Sequence, residues 1–358
     1  MTSFPLFKTK KEGLTERFSL EDPVERRKYF DAKAGEAIQK LREYLGEHTF
    51  VGFLIGPKNS GKGTYTKLFM EAVGQERVAH ISVGDVVRSV HKDCEDETKS
   101  AELLSFLKRR YRGFLELEKI RDVILGRDTV TLLPTEVILA LVEREIDRIG
   151  KRAVFVDGFP RNLDQISFSL YFRALIGYRD DPDFFVFIDV PEAVIDERMK
   201  ARVICLECQT PRSLRLLRTK EIGYDSAAGE FYLICDNPHC DGFGKSRMVG
   251  KEGDVLGIEA IRERMEADEN VARSLLELKG VPKLYLRNAV PVSVASQYVD
   301  DYEITPAYRY EWDAAAEKVR VIEESWVVND DQGVPSYSLL PAAIAVSLIT
   351  QTAQALNL

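Results

Sequence analysis

The chain has 358 residues, of which 45% are hydrophobic and 30% are charged. This length supplies enough apolar material for one large domain or two to three small ones, and the composition argues against disorder. The chain carries 50 basic and 58 acidic residues, a formal net charge of −8. This balance disfavours a general nucleic-acid coat protein, which needs a basic surplus. It does not exclude nucleotides, which need only a local basic cluster.

No segment of the sequence has the pattern of a secretory leader or a membrane span. Residues 1–14 contain lysines with no apolar run behind them. The longest apolar run, at 339–349, is interrupted by Pro341 and Ser347 and is too short for a bilayer. Five cysteines are too few and too unevenly placed for a disulfide scaffold. We therefore expect a cytoplasmic protein with no membrane partner.

The predicted elements alternate between strands and helices. Residues 1–20 are expected to form a mobile arm, and a helix is predicted from Asp22 to Glu47, with Pro23 in its first turn. Four apolar runs typical of buried parallel strands occupy 49–55, 78–82, 153–157 and 184–190. Helical patterns at 62–73, 136–149 and 192–202 alternate with these runs. The order predicts an α/β fold with a parallel sheet.

The remaining segments interrupt this alternation. Residues 91–128 are charged and helical, and residues 204–250 contain four cysteines, several glycines and short strand-like runs. Both are predicted to be inserts at the ligand-binding edge of the sheet. A last strand is predicted at 319–328 and a helix from Pro341 to the end, whereas 280–313 is expected to add only helix and loop.

A glycine-rich loop joins the first predicted strand to a helix and reads Gly56-Pro57-Lys58-Asn59-Ser60-Gly61-Lys62-Gly63-Thr64. Glycines let backbone N–H groups converge on an anion, and the helix N-terminus adds its dipole. Lys62 is placed to reach the β- and γ-phosphates of a nucleotide, and Thr64 to approach magnesium. A glycine-rich turn without a ligand is the alternative. The strand before and the helix after the loop favour phosphate binding.

The Gly61-Lys62-Gly63-Thr64 form resembles the adenylate kinase family of nucleoside monophosphate kinases. Two further segments resemble signatures of the same family, namely Ile81-Ser82-Val83-Gly84-Asp85-Val86-Val87-Arg88 and Asp157-Gly158-Phe159-Pro160-Arg161-Asn162-Leu163-Asp164-Gln165. The chain departs from the family pattern at Asn59, which replaces a glycine, and at Val83, where the family often has threonine.

The resemblance implies two nucleotide sites. The residues expected to hold ATP and Mg²⁺ are Gly56, Ser60, Gly61, Lys62, Gly63, Thr64, Asp157, Arg198 and Arg202. The residues expected to hold an acceptor monophosphate are Ser82, Val83, Gly84, Arg88, Gly158, Arg161 and Gln165. Arg88 and Arg161 would grip the acceptor phosphate, since guanidinium forks bind phosphate bidentately, and Gln165 would contact an adenine edge. As an alternative, both arginines form surface ion pairs, but their place in ordered signatures disfavours this.

The same resemblance extends to a lid. Arg198 and Arg202 resemble the arginines that precede the family's lid, and Arg264 resembles the one on the helix after it. The catalytic residues implied are Lys62, Arg161, Arg202 and Arg264. The family has an Arg-x-Asp-Asp motif where this chain has Lys251-Glu252-Gly253-Asp254, so Lys251 or Arg247 is expected to replace that arginine.

Four cysteines in the lid segment predict a metal site. Cys205 and Cys208 form one pair and Cys235 and Cys240 a second, an arrangement that can close a tetrahedral thiolate site. Many family members have a zinc-bearing lid, and His239 is an alternative fourth ligand. The alternative is that the four cysteines are buried core residues without a metal. This is disfavoured because the segment is too polar and too short to fold without a stabilising metal or crosslink. We expect a structural Zn²⁺, with Cys94 a free thiol.

These inferences predict a P-loop nucleoside kinase fold with a five-stranded parallel sheet flanked by helices. We expect an N-terminal extension at 1–47 and a kinase core at 48–358, with an acceptor-binding flap at 82–134 and a zinc lid at 203–250. The expected reaction is reversible phosphoryl transfer from MgATP to AMP, giving ADP, without a nucleic-acid partner.

Two alternatives remain open from the sequence. One is a nucleotide-binding protein of this fold with weak activity or another acceptor, suggested by Asn59, Val83 and Lys251. The other is a zinc-ribbon nucleic-acid binder, suggested by the cysteines and the basic run at 212–220 and disfavoured by the net acidity.

Overall fold

The computed structural model describes residues 4–125, 133–160, 182–250 and 253–358. Its α-helices are α1 (Pro23–Glu47), α2 (Lys62–Val73), α3 (Val83–Glu95), α4 (Glu97–Arg110), α5 (Leu117–Ile124), α6 (Thr135–Ile149), α7 (Glu192–Lys200), α8 (Arg262–Glu277), α9 (Ala295–Tyr298) and α10 (Pro341–Ala355). Its strands are β1 (Val51–Ile55), β2 (Val78–Ser82), β3 (Ala153–Asp157), β4 (Asp183–Asp189), β5 (Arg202–Ile204), β6 (Pro211–Ser213), β7 (Ile222–Asp225), β8 (Glu230–Leu233), β9 (Val249–Gly250), β10 (Lys283–Arg287), β11 (Val290–Pro291), β12 (Pro306–Asp313), β13 (Lys318–Ser325), β14 (Val327–Asn329) and β15 (Pro335–Tyr337).

The main sheet has five strands in the order β10-β4-β1-β3-β2, and every neighbouring pair is parallel. The predicted five-stranded parallel sheet is thus confirmed. Strand β1 lies between β3 and β4, so the strand order reverses direction at β1. In open α/β sheets, ligands bind at such a switch point, beyond the carboxyl ends of the strands. The glycine-rich loop after β1 lies there.

Helices cover both faces of this sheet, which explains why its strands are continuous apolar runs. On one face, α1, α2 and α10 enclose Phe50, Phe69, Phe155 and Phe184, all at most 1% exposed. The opposite face carries α6 and α8 in a second apolar cluster, whose buried members include Phe53 and Phe187. Two closely packed layers therefore hold the carboxyl ends of the strands in fixed positions.

The fifth strand of the sheet is β10, which corrects two expectations. Segment 280–313 was expected to hold only helix and loop, yet Lys283–Arg287 pairs with β4 over its whole length. The strand predicted at 319–328 does not join the main sheet. Most of that stretch is β13, which forms an antiparallel hairpin with β12, and the rest begins β14. The predicted C-terminal helix is confirmed as α10.

The N-terminal residues pack against the body of the protein, so the expected mobile arm is wrong for the described part of 1–20. Phe18 and Leu20 are 5% and 9% exposed and belong to the largest apolar cluster. Thr9 N–H donates to the Tyr298 carbonyl (3.0 Å), and the Thr9 hydroxyl donates to Glu303 (2.6 Å). In its described part the segment has no regular secondary structure of its own, and its apolar residues Phe18 and Leu20 are buried against parts of the chain that are distant in sequence.

A buried ionic network joins the N-terminal segment, α1 and residues 300–303. The side chains of Lys33 and Glu303 are both fully buried, and Lys33 Nζ lies 2.6 Å from Asp300 and 3.6 Å from Glu303. The hydroxyls of Tyr29 and Thr9 donate to the two Glu303 oxygens. Because Lys33, Asp300 and Glu303 all have partners, their mutual attraction and hydrogen bonds offset the desolvation penalty that a lone buried ion would carry in full.

Two inserts extend from the sheet. Helices α3, α4 and α5 pack with α6 around their own apolar cluster. Residues 202–250 contribute a three-stranded sheet in the order β6-β5-β9 and the β7–β8 hairpin. No helix in the described part of the chain is both long enough and apolar enough to cross a membrane.

Replacement of Lys33 tests the buried network. Lys33→Ala leaves the buried Glu303 carboxylate without its cation and leaves Asp300 with only Lys10, at 3.9 Å. We therefore expect the free energy of unfolding to fall by about 3 kcal/mol or more in urea denaturation. Lys40→Ala is the matched control on the same helix, since Lys40 makes an exposed pair with Glu36. It should change the stability by less than about 0.5 kcal/mol. Equal effects of the two substitutions would show that the network contributes no stability.

Candidate functional site

The glycine-rich loop runs from the end of β1 into the first turn of α2. Gly61 has φ +98°, and a Cβ there would lie 2.6 Å from the Tyr65 ring, so glycine is required by conformation and by space. Asn59 also has a positive φ, +66°, which asparagine tolerates better than most residues. Lys62 Nζ donates to the Gly56 and Pro57 carbonyls at 2.7 and 2.9 Å. The lysine therefore folds back over the loop.

Hydrogen-bonding capacity inside the loop is unused. In the described part of the chain, Asn59 Nδ2 and Ser60 Oγ are buried and have no hydrogen-bond partner. An unsatisfied buried polar group costs about 1–3 kcal/mol, so native proteins rarely leave one without a functional reason. Both groups can donate a hydrogen bond, and both lie where the helix N-terminus favours negative charge. The loop is therefore suited to an anion with several acceptor oxygens.

The loop forms one wall of a cleft of about 420 Å³. The cationic residues that line the cleft are Lys58, Lys62, Lys67, Arg88 and Arg264. Asp157 is the sole carboxylate among the described lining residues. Such an excess of positive charge in a concave site attracts polyanions and raises their local concentration.

Asp157 ends β3 next to the loop, with one oxygen 3.8 Å from Lys62 Nζ. His80, on the neighbouring strand β2, is a group that the sequence analysis missed. Its Nε2 is buried without a partner among the described residues, and burial lowers the pKa of the imidazole although Asp157 opposes the shift. The lowered pKa favours the neutral form of the His80 imidazole.

Four of the residues predicted for the acceptor, namely Ser82, Val83, Gly84 and Arg88, lie at the junction of β2 and α3. Ser82 caps α3 by accepting a hydrogen bond from Asp85 N–H, and Ser82, Gly84 and Arg88 all line the cleft. Arg88 pairs with Asp85, and its side chain is 70% exposed. Val83 is 2% exposed and belongs to the apolar cluster behind the cleft. Gly158 lines a smaller cavity with Lys62 and Asp157, whereas Arg161 and Gln165 lie outside the described residues.

Arg198 and Arg202 both contact the phosphate loop at Asn59. Arg198 donates to the Asn59 backbone carbonyl (3.3 Å), and Arg202 donates to the Asn59 side-chain oxygen (3.1 Å). The Arg202 fork is also paired with both oxygens of Asp254 at 2.5 and 2.7 Å. Asn59, a departure from the family pattern, thus links the phosphate loop to the base of the lid segment.

The other cationic residues singled out in the sequence lie in different parts of the chain. Arg264, on α8, lines the cleft and lies 3.9 Å from Asp268. Arg247 lies in the lid segment, where it pairs with Asp225 and stacks over the Tyr232 ring. Lys251, the other expected replacement for the missing arginine, lies outside the described residues.

The four lid cysteines converge as the sequence predicts. The cluster contains Cys205, Cys208, Cys235 and Cys240, and their sulfurs all lie within 4.8 Å of one another. The Sγ–Sγ distances are 3.8 Å for Cys205–Cys240 and 3.7 Å for Cys208–Cys235. A tetrahedral Zn²⁺ with Zn–S bonds of about 2.3 Å requires sulfur separations of about 3.8 Å. His239 is exposed and is not part of the cluster.

The surroundings of the sulfurs also suit a metal. Hydrogen bonds with Thr210 lower the pKa of the Cys208 thiol to about 6, and Gly242 N–H donates to Cys240 Sγ. Burial raises the pKa of Cys240 to about 12, so a metal ion that binds there displaces a proton. Cysteines make up three of the six buried residues in the lid cluster. The cysteine set fits a structural zinc, which would supply folding energy that this small core lacks.

Comparisons with known proteins agree with this geometry. Residues 55–204 match the family model described as an AAA domain. Adenylate kinase of Thermotoga petrophila is 30% identical over 168 residues, which are 47% of this chain and 64% of that protein. Adenylate kinase of Clostridium botulinum is 30% identical over 188 residues, 51% of this chain and 70% of that protein. An Arabidopsis thaliana protein named probable UMP-CMP kinase 2 is 30% identical over 156 residues, 43% of this chain and 47% of that protein.

The parallel sheet, the phosphate loop at its switch point and the cationic cleft define a P-loop nucleoside kinase fold. With the Clostridium botulinum match, the chain belongs to the adenylate kinase family. The match covers slightly less than two thirds of the Thermotoga petrophila protein.

The zinc site generates a prediction that does not depend on turnover. Purified, reduced protein should contain one zinc per chain, and Cys235→Ser should remove it because an open coordination shell weakens binding. Loss of zinc should increase proteolysis within 203–250 before the main sheet unfolds. Cys94→Ser is the matched control, since Cys94 is buried in the helical insert instead. Zinc-free native protein, or unchanged proteolysis after stripping, would contradict this site.

Proposed function

We propose that this protein transfers a phosphoryl group reversibly between MgATP and a nucleoside monophosphate, with AMP as the preferred acceptor. The cleft is the observation that supports the proposal most directly. It is lined both by the phosphate loop and by Arg88 of α3, which would bind a second phosphate. A donor and an acceptor are both polyanions, and five cationic lining residues would offset their repulsion. This class of reaction depends on positioning and electrostatic stabilisation, without a covalent intermediate.

The ATP phosphates would occupy the loop between β1 and α2. Lys62 would leave the Gly56 and Pro57 carbonyls for the β- and γ-phosphate oxygens, and Ser60 and Asn59 would donate their unused hydrogen bonds. Gly61, Gly63 and Thr64 complete this wall of the cleft. Magnesium would add charge neutralisation between the phosphates. Thr64 and Asp157 are the residues that we assign to it and to its bound water.

The acceptor would lie across the cleft from the loop. Arg88 exchanges its exposed pair with Asp85 for the acceptor phosphate at little cost, since such pairs contribute little in water. We assign Arg161 to the same phosphate and Gln165 to the adenine edge, on the family signature that contains them. Relatives named adenylate kinase support AMP, whereas the relative named probable UMP-CMP kinase 2 makes a pyrimidine acceptor the principal competitor.

Arg264 would approach the transferring phosphoryl from α8, where it lines the cleft beside Lys62. Arg202 donates through Nε and Nη2 to Asp254 and through Nη1 to Asn59, so it would have to release one of these partners to reach the phosphoryl group. Because the Arg202–Asp254 pair holds Arg202 away from the phosphoryl group, it also supports a second candidate. This candidate is a nucleotide-binding protein of the same fold with slow turnover.

The basic run at 212–220 gives little support to a nucleic-acid binder. Arg212 pairs with Asp236 and Arg215 pairs with Glu197, while Arg218 lies over the Tyr308 ring. These arginines are thus committed to contacts within the chain. Salt-sensitive binding to a short duplex would reopen this possibility.

An acceptor panel tests the reaction. Coupled assays with ATP and AMP, GMP, CMP, UMP or dTMP should give the highest kcat/KM with AMP. A preference for CMP or UMP would overturn AMP while keeping the reaction class. ATP binding without turnover for any acceptor would favour the slow nucleotide-binding protein instead.

Substitutions should separate the two phosphate sites. Lys62→Ala should lower kcat about a hundredfold or more, because it removes charge aimed at the transferring group. Arg88→Ala and Arg161→Ala should each raise the KM for the monophosphate about tenfold or more, with ATP binding within about twofold of wild type. Arg109→Ala, an exposed arginine on α4, is the matched control and should change neither parameter. Equal losses of ATP affinity in the Lys62 and Arg161 variants would contradict the assignment.

A further inference from the structure

An aromatic face on the β12–β13 hairpin contacts the lid segment. Side chains alternate between the two faces of a strand, so Tyr308, Tyr310 and Trp312 share one face of β12. Arg309 and Glu311 share the opposite face, where they pair with each other at 2.6 Å and are exposed. The aromatic face belongs to a part of the chain to which the sequence analysis and the proposed function assign no role.

The contacts of this face reach both strands of the β7–β8 hairpin and the residues that follow β6. The Trp312 ring stacks on Tyr224 of β7, with centroids 4.9 Å apart and planes 20° apart, and Tyr310 packs on Phe231 of β8. Nearer the base of the hairpin, Tyr308 N–H donates to the Arg215 carbonyl at 2.8 Å. Aromatic stacking and backbone hydrogen bonding therefore act together along the hairpin.

The base of the hairpin is fixed to the body of the protein. Ala307 and Trp326, at its two ends, are 5% and 6% exposed and belong to the largest apolar cluster. Thr305 N–H donates to the Ser338 carbonyl (2.8 Å), just before the hairpin begins. Eight residue pairs join the two strands. A two-stranded ribbon is marginal by itself, so its core anchor and its lid contacts both stabilise it.

A short series of hydrogen bonds connects the hairpin to the phosphate loop. The Tyr310 hydroxyl donates to the Leu214 carbonyl (2.5 Å), and Leu214 N–H donates to the Ala201 carbonyl (3.1 Å). Ala201 directly precedes Arg202, which donates to Asn59. The hairpin thus fixes the segment that presents Arg202 to the loop.

We propose that the aromatic face of the β12–β13 hairpin positions the lid for ATP, with Tyr310 and Trp312 as positioning residues. A lid that is held in place before ATP binds does not have to be ordered by ATP, and preorganisation of this kind raises affinity. The effect on ATP rests on the proposed function, whereas the docking of the hairpin on the lid does not.

Limited trypsin digestion of the nucleotide-free, zinc-loaded full chain tests the docking. Arg215 and Arg218 contact Tyr308 of the hairpin, Lys220 follows them in the lid segment, and each is a trypsin site. Trp312→Ala should increase cleavage after these residues about tenfold, because loss of the stack raises the open fraction of the segment. Trp312→Phe retains a ring and should restore most of the protection. Glu311→Ala, on the solvent face, is the matched control and should cleave like wild type.

ATP affinity tests the positioning role on the same proteins. Trp312→Ala and Tyr310→Phe should each raise the KM for ATP about threefold to tenfold, with kcat and the KM for the monophosphate within twofold of wild type. Wild-type cleavage rates in Trp312→Ala would overturn the docking. Faster cleavage with an unchanged KM for ATP would overturn the positioning role. Absence of ATP binding in the wild type would instead refute the proposed function, and the digestion would still decide the docking.

Discussion

Mutual repulsion among cationic side chains is the constraint on which this site depends. Five cations line one cleft with one carboxylate among the described lining residues, so a rigid scaffold is needed to hold them close to one another. The aromatic layers around Phe155 and Phe184 on one face, and Phe53 and Phe187 on the other, provide that scaffold at the carboxyl ends of the strands. Hydrogen bonds from Lys62 to loop carbonyls hold its charge in place within the cleft.

The lid segment faces a different constraint, because it has too little apolar surface to fix its own position. Its core is small, and half of the buried residues in that core are cysteines. Two external supports compensate. The cysteine cluster is suited to a metal that closes the far end, and the β12–β13 hairpin packs on β7 and β8 from the side. At the near end, the Arg202–Asp254 pair and Asn59 join the lid base to the phosphate loop.

Both ends of the chain stabilise the body rather than extend from it. Helix α1 packs on α2 and on the C-terminal helix α10, and the Lys33 network ties residue 9 to residues 300–303. This junction lies close in sequence to the start of β12. The N-terminal segment therefore helps to hold the region from which the hairpin extends towards the lid.

The sequence by itself determined the phosphate loop, the strands β1 to β4 of the main sheet and the cysteine cluster. Each of these features has a characteristic spacing of residues within a short stretch of the chain. Only the tertiary structure decided the rest. Strand β10 is five residues long with Lys283 and Arg287 at its ends, so its apolar content is too short to identify without β4 beside it. The alternating aromatic residues of β12 do not reveal their partner in the sequence, and only the structure shows that they pack on β7 and β8. Residues 1–20 were expected to form a mobile arm, whereas the burial of Phe18 and Leu20 depends on partners that are distant in the sequence. Pairing over such separations is set by packing and shape, which local residue patterns do not record.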